Sequence, residues 1–99
     1  MYKLLFFLHK SGDDLLLQHF REFTLKHLSD ITESEVKLAK VESNLLLDTK
    51  YSYYCEATAN SKNEMDKRMS SKAGKALNKD LMDFHEQLTV IAVNYGEEN

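Results

Sequence analysis

A chain of 99 residues, 42% hydrophobic and 29% charged, has the make-up of one small globular domain and carries too much apolar surface to stay disordered. Its formal net charge of −3 gives an acidic field, which counts against a general nucleic-acid or membrane-surface partner. A single cysteine, Cys55, precludes an intrachain disulfide and points to a reducing, cytoplasmic setting.

The opening stretch Met1–Leu8 is apolar but too short for a signal-peptide core. His9, Lys10, Asp13 and Asp14 follow at once, and no run in the sequence approaches the length of a membrane span. There is no proline, so helices are expected to run unkinked and turns to rely on Gly, Asn, Asp and Ser.

Tyr2 to Leu8 reads as a strand with apolar residues on both faces: Tyr2, Leu4, Phe6 and Leu8 on one, Leu5 and Phe7 on the other. Ser11–Asp14 forms a turn and helix start. From Asp14 to about Asp30, Leu16, Phe20, Phe23 and His27 recur at i, i+4, i+7 and i+11, with Leu17, Thr24 and Ile31 beside them. That spacing predicts one continuous α-helix. Val36 to Ser43 carries a weak strand pattern. Leu45–Lys50 reads equally as a hairpin connection or as a bulged continuation of that strand.

Tyr51 to Ala59 predicts a third strand. Alternation puts Tyr51, Tyr53, Cys55, Ala57 and Ala59 on one face, and Ser52, Tyr54, Glu56 and Thr58 on the other. Ser61 and Glu64 form a capping box that opens a helix running to about Ser71. Gly74 marks a break before a longer helix, Lys75 to Glu86. The apolar stripe of this region is Met65, Met69, Ala76, Leu77, Leu81 and Phe84. Leu88 to Tyr95 is the last strand, again apolar on both faces, followed by a polar tail.

The order β-α-β-β-α-β predicts an α+β, ferredoxin-like fold: a four-stranded antiparallel sheet with two helices on one face. Both helices fall on that face because each crossover is right-handed, so the second apolar face needs a cover from outside the chain. A homodimer with the two sheet faces packed together is expected.

Chemistry-bearing motifs are few. The sequence has no Cys-x-x-Cys, no phosphate-cradling glycine loop, no nucleophile elbow and no His-Glu-x-x-His, so no cofactor and no metal are expected. His19 and His27 stand eight residues apart on one predicted helix, too far to share a metal ion. His27, at the end of the apolar stripe, reads either as a core-edge histidine bonded to a backbone carbonyl or as a general base at the mouth of an apolar pocket. His9 and His85 fall at element ends and read as surface residues. Tyr51, Tyr53 and Tyr54 with Glu56 offer apolar surface carrying polar tips, suited to a packed interface or to a small-molecule pocket. A buried Glu56 needs a partner or has a raised pKa, whereas an edge position leaves it wet. Arg68, Lys72, Lys75 and Lys79 form a basic stripe that reads as a solvated helix face.

The run Lys3-Leu4-Leu5-Phe6-Phe7-Leu8-His9-Lys10, a turn, and an aromatic helix ending in Phe23-x-x-x-His27 resemble the EthD-like family. So do Ser71-Lys72-Ala73-Gly74, then Asp80 and Phe84, then a final apolar strand. The resemblance spans nearly the whole chain, 1–99, as a single EthD-like ferredoxin-like domain. One departure is that the family usually has His-x-Pro where this chain has His27-Leu28-Ser29.

The resemblance implies a dimeric α+β barrel that binds a small apolar molecule. It also implies kinship in activity with cofactor-free oxidoreductases, isomerases or cyclases. His27 would be the catalytic base, with Phe6, Phe23, Tyr53 and Glu56 as ligand-binding residues. A binding or accessory protein of the same fold without chemistry is the alternative. A sheet-face RNA-binding module shares the element order, but the aromatic pattern of strand three and the acidic charge oppose it.

Overall fold

The computed structural model describes residues 1–10, 14–42, 46 and 49–96. Strand β1 (Tyr2–His9) lies inside a four-stranded antiparallel sheet. It pairs with β3 (Tyr51–Ala59) on one side and β4 (Leu88–Asn94) on the other. A two-residue β2 (Ala39–Lys40) completes the order β2-β3-β1-β4. Helices occupy the intervening crossovers: α1 (Asp14–His19), a π-helical segment (Phe20–Thr24) and α2 (Leu25–Thr32) after β1; α3 (Lys62–Met69) and α4 (Lys72–Asp83) after β3. This is the predicted β-α-β-β-α-β arrangement. The second strand is much shorter than the span 36–43 expected for it, although the Val41 amide still donates to the Ser52 carbonyl. Residues 11–13 of the expected turn at 11–14, and residues 45, 47 and 48 of the connection at 45–50, lie outside the described residues.

The core sits between the sheet and the helices. Phe6 and Leu8 of β1, Cys55, Ala57 and Ala59 of β3, and Leu88 of β4 supply the sheet side. Leu16, Phe20, Leu28, Ile31, Met65 and Leu77 supply the helical side. The Cys-Ala-Ala row on β3 is small, so helices can approach the sheet closely there. Each large side chain buried in this layer is worth about 1.5–3 kcal/mol over leaving it in water. Burial pushes the Cys55 thiol up to about 12, which makes it an unreactive packing residue at neutral pH.

The first helix departs from continuous α geometry. The Leu25 amide donates to the Phe20 carbonyl, five residues back, so one extra residue is accommodated in a wide turn. The buried row is consequently Leu16, Phe20, Thr24 and Leu28, a spacing of four throughout. An unbroken α-helix drifts at that spacing, and the π turn corrects the drift. Phe23, which α spacing places in the stripe, is 52% exposed.

The helix then stops at Glu33, whose φ of 55° is left-handed and whose amide donates to the Ser29 carbonyl. Arg68 donates to the Ile31 carbonyl at 2.9 Å, satisfying an otherwise orphan acceptor of the last turn. Arg68 therefore ties the two helical segments together and is not merely part of a solvated stripe.

The break between the C-terminal helices falls at Ser70–Ser71, before the glycine expected to mark it. Ser71 caps α4 by accepting from the Gly74 amide at 3.1 Å. Gly74 lies within the first turn, where a Cβ would sit 2.4 Å from the Met69 backbone. It is the closeness of the two helices, not helix breaking, that requires glycine here. At α3, Ser61 accepts from the Glu64 amide at 3.1 Å as the capping box predicts, but the Glu64 carboxylate is engaged by Arg68 at 2.7 Å.

Two outcomes follow for stability. Ser61→Ala lowers the unfolding free energy by about 0.5–2 kcal/mol in denaturant melts, the value of a lost N-cap side chain. Gly74→Ala is destabilising in the same melts, because the Met69 backbone must move; that cost outweighs the roughly 1 kcal/mol that alanine gains over glycine in a helix.

Candidate functional site

The sheet face away from the helices combines apolar and polar side chains. The pairing register puts Lys3, Leu5 and Phe7 of β1 level with Thr58, Glu56 and Tyr54 of β3, and with Val93, Ile91 and Thr89 of β4. Between Leu8 and His9 the pairing with β3 slips by one residue, so His9 stands opposite Tyr51. Tyr51 is thereby turned to this open face, whereas uninterrupted alternation predicts it beside Tyr53. The Phe7 ring lies between Tyr51 and Tyr54, with centroids 4.7 and 5.1 Å away, and His9 adds a ring 5.7 Å from Tyr51. His9 Nε2 shares a hydrogen bond of 2.7 Å with Thr89 Oγ1.

A polar set interrupts the apolar surface. The Lys3 ammonium bonds Glu56 Oε1 at 2.8 Å, and the Tyr54 hydroxyl donates to Glu56 Oε2. The bond from Lys3 and then that from Tyr54 hold the Glu56 carboxyl below its usual range. The same contact holds the Lys3 ammonium above its own. Burial, with the bond to Glu56 second, pushes the Tyr54 phenol well above its ordinary value. Glu56 is therefore an anion with satisfied partners and is not poised as an acid.

Three cavities open at the edges of the sheet. One of about 230 Å³ lies where β1 ends and α1 begins, lined by His9, Lys10, Asp14, Ser52 and Tyr53 with Leu8, Leu16 and Leu17 behind them. A second, about 360 Å³, borders Glu56, Tyr54 and the extended segment at 34–39. The third, about 310 Å³, is a largely apolar groove between α4 and β4, lined by Leu81, Met82, Leu88 and Val90. The first gathers convergent polar groups, and the third offers the most apolar lining of the three.

A separate cluster sits on the helical layer. His19 Nε2 bonds Asp80 Oδ1, and the Thr24 hydroxyl donates to Asp80 Oδ2 at 2.7 Å. The His19 ring is flanked by Phe23 and Phe84, with centroids 5.1 and 4.9 Å away. Sequence reasoning weighed His19 only as a metal partner of His27, because its actual partner is 61 residues distant. Asp80 and Phe84, two residues that carry the family resemblance, are the ones that meet it. Among the described residues no set of three His, Cys, Asp or Glu side chains gathers as a metal site, and no helix is long and apolar enough to cross a membrane.

The residues singled out by sequence do not converge on one point. Phe6 is fully buried on the helix side of β1. Tyr53 shares that side, lines the first cavity and receives the Arg21 guanidinium 5.5 Å from its ring centroid. Phe23 is exposed beside His19. Glu56 occupies the opposite sheet face and borders the second cavity. His27 is half-buried on α2 and lines none of these three cavities.

No family model and no curated protein matches the sequence. Solved structures are similar in fold. An EthD family protein of Bacillus halodurans superimposes with a TM-score of 0.74 at 21% identity, covering 95% of this chain and 97% of that one. The At3g17210 protein of Arabidopsis thaliana gives 0.62 at 16% identity, covering 99% and 95%. HapK of Hahella chejuensis gives 0.60 at 13%, covering 100% and 96%. The resemblance to the EthD-like family read from the sequence thus has its counterpart in three dimensions: the chain shares, over nearly its whole length, the fold of an EthD family protein.

Proposed function

We propose that the chain assembles as a homodimeric α+β barrel through its open sheet face and binds a small, largely apolar molecule. The observation that carries this reading is the open face itself. Leu5, Phe7 and Ile91 run across it, and Ile91 and Tyr95 are 44% and 54% exposed in the single chain. Contiguous apolar surface of this kind marks an interaction site. The groove between α4 and β4 supplies apolar lining, and the cavity where β1 meets α1 supplies convergent polar groups. The family name of the Bacillus halodurans protein refers to ethyl tert-butyl ether, a small apolar compound, which agrees with that ligand class.

For chemistry, His27 is the proposed base of a cofactor-free proton transfer such as an isomerisation, cyclisation or oxidation. Tyr53 lines the cavity where β1 meets α1 and orients the ligand from the sheet, whereas Phe6, Phe23 and Glu56, the other residues singled out by sequence, lie away from it. Binding without turnover is the second reading. It is favoured by one observation: His27 lines none of the three cavities.

Sedimentation at micromolar concentration is expected to give twice the 11.5 kDa of one chain, with an interface on the order of 1,600 Å² or more. Ile91→Asp converts the dimer to folded monomer, because an unpaired carboxylate cannot be buried between two sheets without a large cost. A wild-type protein that sediments as a monomer overturns the barrel. His27→Gln keeps fold and dimer; it abolishes turnover of a converted ligand if His27 is the base, and leaves turnover intact if its role is structural.

A further inference from the structure

The first helix carries two superimposed burial patterns. Starting from Leu16, α spacing leads through Phe20, Phe23 and His27 to Ile31. The buried row is instead Leu16, Phe20, Thr24, Leu28 and Ile31. The rows part at the π segment and meet again at Ile31, so they differ only in whether the extra residue is absorbed at 20–24 or further along.

Asp80 decides where that happens. On an α-helix, residues five apart point roughly 140° away from each other. His19 and Thr24, five apart, nevertheless bond the two oxygens of one carboxylate, which the widened turn makes possible. The Asp80 side chain is only 14% exposed, so it is held in place on α4 by its surroundings.

We propose that Asp80 is a positioning residue that locks the extra residue into the π turn, and that releasing this hold passes the turn toward the end of α2, rotating Phe23 and His27 onto the sheet. The inference rests on the reading of His27 as the functional histidine, because Asp80 then sets which way that ring faces. Each step of the passage exchanges a hydrogen bond to the fifth residue back for one to the fourth, so the number of backbone bonds is conserved. Phe23 takes the place of Thr24, and His27 that of Leu28. The far end of the helix can absorb the change. Glu33 already sits at a left-handed φ of 55° without being glycine, and because Ser29 lies in the segment that turns, the bond its hydroxyl accepts from the Val36 amide at 3.1 Å is remade in the passage.

The test is Asp80→Asn in the full chain, read by amide hydrogen exchange and by NMR contacts of the His27 ring and Leu28 methyls. Exchange at the Leu25 amide is expected to accelerate by about tenfold or more, as local opening replaces a held turn. The His27 ring gains contacts to β3 that the Leu28 methyls lose. Deleting Glu22, an exposed residue inside the π segment, removes the extra residue altogether. In the Asp80→Asn background this deletion is expected to return Leu28 to the sheet and bring exchange back to about the parent rate.

Unchanged Leu25 exchange and unchanged His27 and Leu28 contacts in Asp80→Asn overturn the proposal. So does a deletion that fails to restore them, or a double variant that does not fold. If Asp80→Asn alone does not fold, Thr24→Val, which removes one of the two holds, is read in the same way. None of these readouts requires turnover, so failure here is distinct from failure of His27→Gln to affect a reaction.

Discussion

The central position of β1 is the constraint on which the rest of the molecule depends. It is paired on both sides and carries apolar side chains on both faces, while the helices of the chain cover one face only. Phe6 and Leu8 anchor the covered side, and the small residues of β3 let the helices come down onto it. On the other side Leu5 and Phe7 remain at the surface, with Lys3, Glu56 and Tyr54 fixed among them. A half-exposed ion pair adds little net stability. Any surface packed against this face would have to leave the carboxylate its two partners.

The helical layer obeys a second constraint, set by a single residue. A buried row spaced at intervals of four cannot stay on one side of an α-helix, and the turn at 20–24 keeps it there. That turn also brings His19 and Thr24 to the same carboxylate and leaves Phe23 outside. The local irregularity, the polar cluster and the exposed aromatic ring therefore have one cause.

Much of this architecture was legible in the sequence. Alternation along Tyr2–Leu8 and along the final strand gave both apolar faces, and the capping serine at 61 is where its pattern places it. The rest was hidden for definite reasons. Thr24 is polar, so an apolar count steps over it to Phe23 and reads an α stripe that the π turn then displaces. Tyr51 obeys alternation by sequence, but a slip in pairing beside His9 turns it to the other face. Gly74 looks like a helix breaker until the Met69 backbone is seen pressed against it. The His19–Asp80 contact joins elements far apart in the chain and leaves no trace in local spacing. Each of these departures is a tertiary effect at a single position, and none alters the order of elements.

The pairing of β1 with β4 also bears on how the chain reaches this state. Tyr2 faces Asn94 and Leu8 faces Leu88, so one ladder of the innermost strand closes only when distant ends of the described chain have met. Contacts of such long sequence separation slow folding, because loop closure must precede the pairing that rewards it. During synthesis β1 is made before its β4 partner. Until then, one edge of a strand greasy on both faces stays unpaired and open to wrong partners.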